Sequence, residues 1–373
     1  MQVEQFIQIE KMSRKYKVLI SGGGTGGHIF PAIAIADEIM SQFPDSEIKF
    51  IGAEGRMEME KVPAAGYEIE GLWISGLQRR LTPKNLSLPF KVILSLWKSR
   101  KIIKEFNPDF TVGVGGYASG PLNYTASLLG IPVYLQEQNS FPGITNKLLK
   151  NKARKVCVAY EGMERFFPKE KIVITGNPIR QDLLRSDVSK TEAYKYFSLD
   201  TEKKTVLIIG GSLGARTINE AMEANLEKII NSNVQILWQT GKNFLGDLGK
   251  MPWGNRVAFI KRMDLAYAAS DVVVSRAGAM SVSELSALGK PTIFIPSPFV
   301  SEDHQTKNAM SLVSKGAALI CKDSEAKEKI GDLLKDVLAD NKKLESLKLE
   351  IAKLGLPNAS QTIVSEIIAD FDS

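Results

Sequence analysis

Only two histidines occur in the 373 residues of this chain, and one, His28, closes the run Ser21-Gly22-Gly23-Gly24-Thr25-Gly26-Gly27-His28. An imidazole is the side chain best suited to accept a proton near neutral pH. Five glycines in the six positions before it describe a backbone that a ligand can approach closely, because glycine lacks Cβ and reaches φ > 0. The run follows the apolar Val18-Leu19-Ile20 and precedes Pro31-Ala-Ile-Ala-Ile-Ala-Asp-Glu-Ile-Met40, which reads as a helix. A strand-to-helix corner of this kind aims amide N–H groups at an anion. Gly22-x-Gly24-x-x-Gly27 also satisfies the dinucleotide fingerprint, whose acidic ribose ligand belongs about 20 residues on. Glu54 comes late for that role, so dinucleotide binding and other phosphate or sugar binding both stay open at this corner.

Four more polar clusters follow apolar strand candidates: Gly115-Gly-Tyr117-Ala-Ser119-Gly-Pro121 after Val114, Glu137-Gln-Asn139 after Leu135, Gly210-Gly-Ser212-Leu-Gly214 after Ile209, and Ser275-Arg276-Ala-Gly278-Ala279-Met280-Ser281-Val-Ser-Glu284 after Val274. Each has a plain structural reading: Tyr117 and Ser119 as helix caps, Asn139 as a turn residue, Glu284 as an exposed helix residue. All of them together at the C-terminal ends of strands, where α/β folds place ligands, favour a binding site.

The elements that must position these residues alternate between strand and helix, which predicts parallel α/β layers. Strands are expected at 18–20, 48–51, 110–114, 133–135, 156–158 and 172–174, and in a second series at 205–209, 234–238, 257–260, 272–274 and 292–295. The length also favours two domains. We expect an N-terminal tail over 1–15, a Rossmann-like domain over 16–176 and a polar linker over 177–200. A second Rossmann-like domain over 201–356 and a C-terminal helix over 357–373, packing back on the first domain, complete the reading. Two such halves would face each other across a cleft, so that two ligands meet there.

Composition is that of an ordinary globular protein, with a net charge of +6. Cys157 and Cys321 lie far apart in or beside apolar strands and read as buried reduced thiols. The first ten residues carry acids and no continuous apolar core, unlike a signal peptide. No apolar run approaches a membrane span. Between Gly71 and Lys104 there is no acidic residue, while Arg79, Arg80, Lys84, Lys91, Lys98, Arg100, Lys101 and Lys104 are basic. Trp73, Leu77, Leu81, Phe90 and Trp97 are interleaved with them. A core-facing amphipathic helix accounts for much of 91–106. Gly76, Pro83 and Pro89 break any longer helix, and an apolar loop with a basic rim suits an anionic membrane surface, at about 1 kcal/mol per nearby cation. Nucleic acid is the competing partner, but no nucleic-acid-binding motif accompanies the charge.

Taken in order, Gly23-Gly-Thr-Gly-Gly-His28, Gly115-Gly-Tyr-x-Ser-Gly-Pro121, Glu137-Gln-Asn139, Gly176-Asn-Pro-x-Arg180, Gly210-Gly-Ser-x-Gly-Ala215, Ser275-Arg-x-Gly-Ala279, Glu284 and His304-Gln305 resemble the MurG family over nearly the whole chain from Tyr16. These are the N-acetylglucosaminyltransferases of peptidoglycan synthesis, of glycosyltransferase family 28 and the two-domain glycosyltransferase B fold. The resemblance implies inverting transfer of N-acetylglucosamine from UDP-N-acetylglucosamine to the muramoyl 4-hydroxyl of lipid I, giving lipid II. It further implies a peripheral place on the cytoplasmic face of the cell membrane, and contact with a cell-wall synthesis or division complex.

On that resemblance, Phe259 and Ile260 offer backbone groups to uracil, Glu284 accepts the ribose hydroxyls, and the amides of Gly278, Ala279, Met280 and Ser281 face the diphosphate. Ser212 and Arg180 or Arg276 add donors and charge. Asn139, Gln305 and His304 would hold the sugar, with Glu137 in the same binding set. Thr25, Gly26 and Gly27 would line the junction with the acceptor, and Tyr117 and Ser119 its diphosphate. His28 is expected to be the general base, with helix capping or pyrophosphate binding as the alternative roles. The chain departs from the family pattern at Ser281, where threonine is frequent, at Met280 in the same loop, and at Lys261-Arg262, where relatives often carry acids. No cofactor or metal is implied; Asp370-Phe-Asp372 reads as a solvated tail. A UDP-N-acetylglucosamine 2-epimerase would need no lipid patch, a non-catalytic membrane adaptor would need no second nucleotide half, and a nicotinamide oxidoreductase leaves Glu284 and the second glycine loop without a role.

Overall fold

Val18-Leu19-Ile20 and Val206-Leu-Ile-Ile209 are apolar at every position, and such strands are stable only when a sheet is covered on both faces. The computed structural model, which describes residues 14–75, 88–184, 188–211 and 213–373 apart from the side chains of Gln181, Asp182 and Ser301, contains two such sheets. The chain divides into one unit of residues up to Ile179 together with Asn358–Ser373, and another of Arg180–Pro357.

The first unit has seven parallel strands: β1 (Lys17–Gly22), β2 (Glu47–Ala53), β3 (Glu68–Leu72), β4 (Phe110–Gly115), β5 (Val133–Glu137), β6 (Lys155–Val158) and β7 (Ile172–Ile174), ordered β3-β2-β1-β4-β5-β6-β7. One face is sealed by Ile29, Ile35 and Ile39 of helix Gly26–Gln42 together with Ile363, Val364 and Ile367 of helix Ala359–Phe371. The other face carries Leu19, Ile51, Ile102, Leu122 and Leu135. Asp370, expected in a solvated tail, instead accepts from the Tyr134 hydroxyl at 2.7 Å and pairs with Arg154, while Asp372 pairs with Arg14.

The second unit has β8 (Lys204–Ile209), β9 (Val234–Gln239), β10 (Gly249–Met251), β11 (Gly254–Val257), β12 (Val272–Ser275), β13 (Thr292–Phe294) and β14 (Leu319–Ile320), ordered β10-β11-β9-β8-β12-β13-β14, with only the edge strand β10 antiparallel. Its two apolar layers centre on Ile218, Trp238 and Ile330 and on Leu207, Leu285 and Phe294. The stretch read as a linker carries helices Gln181–Leu184 and Lys190–Phe197; Ala193 and Tyr194 of the latter pack on Leu265 and Ala269 within this unit.

Candidate functional site

In the first unit, two glycine loops after strands come together. β1 and β4 are neighbours, and their register shifts at Gly22 opposite Gly115, where the two glycine loops leave the sheet. The Gly23 N–H donates to the Gly115 carbonyl at 3.3 Å. A Cβ on Gly116, which has φ +90°, would sit 2.4 Å from the Gly23 carbonyl oxygen, so the two backbones approach this closely only because residue 116 is glycine. The helix expected from Pro31 begins earlier, at Gly26, with Thr25 extended as its N-cap (φ −148°, ψ 157°). Poor intrinsic helix formers are thus drawn into the first turn, placing His28 on that turn beside Gly115. His28 Nδ1 lies 3.1 Å from the Gly23 carbonyl oxygen and 3.3 Å from Thr25 Oγ1. A carbonyl only accepts, so the contact with Gly23 suits a ring that carries a proton on Nδ1. Tyr117 is 44 % exposed and its ring lies against Gly24.

Two expected ligands in this unit face inward instead. Ser119 is fully buried, its Oγ accepting from Asn123 Nδ2 at 3.1 Å, in a network that also joins Thr111 and Ser21. Glu137 is also buried: Oε1 accepts from the Asn139 N–H (3.0 Å), and Oε2 from the Gly143 N–H (3.1 Å) and Asn146 Nδ2 (2.9 Å). Burial pushes its carboxyl above the usual range, and those donors oppose the shift. Both residues shape loops rather than present a side chain to a ligand; Asn139, half-buried, is the presented member of its cluster.

In the second unit, Glu284 lies in helix Ala279–Ala287, whose N-cap Gly278 supplies no side chain to the first amides. The N–H groups of Ala279, Met280 and Ser281 therefore form an anion-directed helix start. Glu284 Oε1 faces Arg180 Nε at 3.4 Å and Oε2 accepts from the Tyr267 hydroxyl at 3.2 Å. Burial, then the Glu284 charge, holds the Tyr267 phenol well above its ordinary pKa, so it remains a donor. Arg276 is committed elsewhere: it pairs with Asp323 and donates to the carbonyls of Ile295 (2.9 Å) and Pro296 (3.3 Å), which leaves Arg180 as the cation beside Glu284. Gln305 Oε1 accepts from the Ser297 N–H at 2.8 Å and so fixes the preceding loop. His304 and Gln305 open helix His304–Val313 directly after Glu302 and Asp303, two non-glycine residues at φ +56° and +50°, a strained entry of the kind that clusters at ligand sites.

The uracil expectation is corrected in part. The strand lies at Gly254–Val257, ahead of the expected 257–260, because Gly254 (φ +142°) fits where a Cβ would meet the Ile236 carbonyl at 2.0 Å. Phe259 and Ile260 lie in the loop beyond it. The Ile260 N–H is already given to Gln239 Oε1 at 2.9 Å, and Phe259 is half exposed. Ser212 lies outside the described residues, as do Leu77, Arg79, Arg80 and Leu81 and most of the expected tail. The flanking loop is described: a Cβ on Gly214 would sit 1.9 Å from the Thr240 carbonyl.

On helix Leu88–Phe106, Ser95, Ser99, Ile102 and Ile103 are buried, whereas Phe90 (69 % exposed), Ile93, Leu94 and Trp97 (68 %) face solvent. The core-facing reading therefore holds for the last turns alone. Earlier turns put serine inward and large apolar groups outward, beside half-exposed Trp73, whose ring lies under the Lys91 ammonium at 5.2 Å. The sequence reading missed Tyr124, Leu128, Ile144 and Leu148, exposed on the helices Ser119–Leu128 and Ile144–Leu149. Among the described residues, no helix is long and apolar enough to cross a membrane.

Residues 18–158 match the family model of the glycosyltransferase family 28 N-terminal domain, and residues 205–363 that of its C-terminal domain. The chain belongs to glycosyltransferase family 28, in its MurG branch, with the two-domain α/β fold of the glycosyltransferase B class. A relative in Flavobacterium psychrophilum, named UDP-N-acetylglucosamine--N-acetylmuramyl-(pentapeptide) pyrophosphoryl-undecaprenol N-acetylglucosamine transferase, is 54% identical over 357 residues, which are 95% of this chain and 97% of the relative. The crystal structure of Acinetobacter baumannii MurG superposes with a TM-score of 0.76 at 28% identity, covering 95% of this chain and 99% of that one. A UDP-GlcNAc 2-epimerase from Neisseria meningitidis, 14% identical with a TM-score of 0.66 over 95% of this chain and 100% of its own, shares the fold alone. The family resemblance and the fold class read from the motifs are thereby borne out.

Proposed function

We propose that this chain transfers N-acetylglucosamine from UDP-N-acetylglucosamine to lipid I, the undecaprenyl-pyrophosphoryl-N-acetylmuramoyl-pentapeptide, forming lipid II. The observation that carries this reading is 54% identity, over nearly the full length of both chains, to a transferase of that name. The second unit takes the donor. Glu284, oriented by Tyr267 and Arg180, accepts the ribose hydroxyls, and the amides of Ala279, Met280 and Ser281 receive the diphosphate. Within this unit the Ile260 carbonyl and the Phe259 backbone remain for uracil, and His304 and Gln305 for the sugar.

In the reaction, the muramoyl 4-hydroxyl oxygen attacks the anomeric carbon from the face opposite UDP. The C1–O bond breaks with its electron pair going to the β-phosphate, and His28 Nε2 takes the hydroxyl proton, which inverts the configuration at C1. General-base assistance of this kind is worth roughly 10²- to 10⁴-fold. Negative charge growing on the leaving diphosphate is met by the helix-start amides and Arg180. Thr25, Gly26 and Gly27 border the acceptor, with Tyr117 beside Gly24.

A polyprenyl acceptor stays in its bilayer, so the enzyme must come to it. Phe90, Ile93, Leu94, Trp97 and Trp73, with Lys91, Lys98, Arg100, Lys101 and Lys104 around them, supply an apolar, cationic face for the anionic cytoplasmic leaflet. The deciding assay is transfer of radiolabelled N-acetylglucosamine from its UDP conjugate to a lipid I analogue. Labelled disaccharide lipid that is lost in Glu284→Ala is the expected result; donor binding without transfer would overturn the reading.

A further inference from the structure

Glu58, in the short helix Glu58–Ala64, is 1 % exposed, and no ion pair to it occurs among the described residues. A buried carboxylate without a cation is costly unless its oxygens are hydrogen-bonded. Oε1 accepts from the Ala53 N–H at 3.1 Å, at the end of β2, and Oε2 accepts from the Gly24 N–H at 2.9 Å. Space for the group is made by two missing side chains: a Cβ on Gly23 would sit 2.1 Å from Oε1, and a Cβ on Gly52 2.7 Å from Cγ.

The N–H of Gly24 and the carbonyl of Gly23 belong to one peptide group. Its N–H is bound by Glu58 and its carbonyl oxygen lies 3.1 Å from His28 Nδ1. Hydrogen bonds in series polarise one another, so a carboxylate on the N–H makes the carbonyl a stronger acceptor. We propose that Glu58 is a positioning residue that acts through the 23–24 peptide to hold His28 as its Nδ1–H tautomer, which makes Nε2 the nitrogen that receives the acceptor's proton. The catalytic part of this proposal rests on the reading of His28 as general base. Glu58 is buried and acts only through that peptide. Its part is that of the orienting carboxylate in a hydrolase triad, relayed by one planar peptide.

Because the chain has only two histidines, ¹⁵N-histidine labelling of the full-length protein gives two ring systems, assigned with His304→Gln. Long-range ¹H–¹⁵N spectra then report which nitrogen of His28 is protonated. The wild type is expected to show Nδ1–H. In Glu58→Gln the side-chain NH₂ opposes one of the two N–H donors. We expect a mixed tautomer there, with kcat lowered about 10- to 100-fold, the usual range for an orienting partner, and donor KM nearly unchanged. Gly23→Ala, which displaces the carboxylate while keeping Glu58, should give the same spectral change. An Nε2–H ring in the wild type, or an unaltered tautomer in both variants, overturns the proposal. Retention of kcat in His28→Gln removes the base reading and with it the catalytic part alone, leaving the tautomer result to stand or fall separately.

Discussion

The Tyr267 hydroxyl donates to Glu284 Oε2 at 3.2 Å, so the carboxylate assigned to the donor ribose is aimed by a phenol from helix Met263–Ala269. Removing that hydroxyl takes one hydrogen-bond donor from a nearly buried carboxylate. Such a loss is worth about 1 kcal/mol, or roughly fivefold. Tyr267→Phe is therefore expected to raise the KM for UDP-N-acetylglucosamine several-fold with kcat little changed, while Glu284→Ala abolishes measurable donor binding. Steady-state kinetics and calorimetry with UDP separate the two effects.

The outward apolar residues of helix Leu88–Phe106 predict lipid dependence. Ile93→Ser with Trp97→Ser removes two large exposed groups, each worth about 1.5–3 kcal/mol when buried in an apolar phase. Cosedimentation with anionic vesicles should fall at least tenfold, and wild-type binding should weaken as salt is raised. Equal binding to neutral and anionic vesicles would contradict the assignment.

The proposed donor site, which sets the amides of Ala279, Met280 and Ser281 and the Arg180 guanidinium against the diphosphate, makes no use of a cation bridge. Transfer should proceed at the same rate in EDTA as in magnesium. A strict requirement for a divalent ion, measured in the radiolabel assay, would count against this arrangement.

Lys290 lies at the turn into β13, its ammonium donating to the Ser270 carbonyl at 3.2 Å, and burial holds its pKa down at about 8. Unfolding returns it to 10.5, so between about pH 8 and 10.5 the unfolded chain binds more protons and this group makes stability rise with pH. The contribution is lost again as pH falls through 8. Lys290→Met should flatten that rise and stabilise the protein at pH 7 by on the order of 2 kcal/mol, read from thermal melts across the range.

What the amino-acid pattern disclosed depended on whether a signal was local. β1, β4, β8 and β12 are mostly apolar runs that end in, or lead straight into, glycine or serine, and both they and the loops beyond them were legible. β3, Glu68-Ile-Glu-Gly-Leu72, went unread because it is an edge strand with acids on alternate positions, and β10 and β14 are too short to carry a period. The direction of a side chain was not legible where a distant partner sets it. Ser119 turns inward to Asn123 and Arg276 to Asp323, and no spacing encodes either pairing. Glu58 was passed over for a related reason: within Glu54-Gly-Arg-Met-Glu-Met-Glu60 it looks like any solvated charge, and only the fold sets it beneath a glycine loop.

Helix Ala359–Phe371 gives Ile363, Val364 and Ile367 to the same apolar layer as Val18, Ile20 and Ile35. On the ribosome, the residues of the first unit up to Ile179 therefore wait for the whole of Arg180–Pro357 before that layer can close, whereas Arg180–Pro357 has all its own parts beforehand. The second unit is thus able to mature first, and the first gains its last core residues only when synthesis has passed Phe371. A nascent chain stalled before Ala359 would carry a finished second unit and leave Ile29, Ile35 and Ile39 without their cover, as a substrate for chaperones.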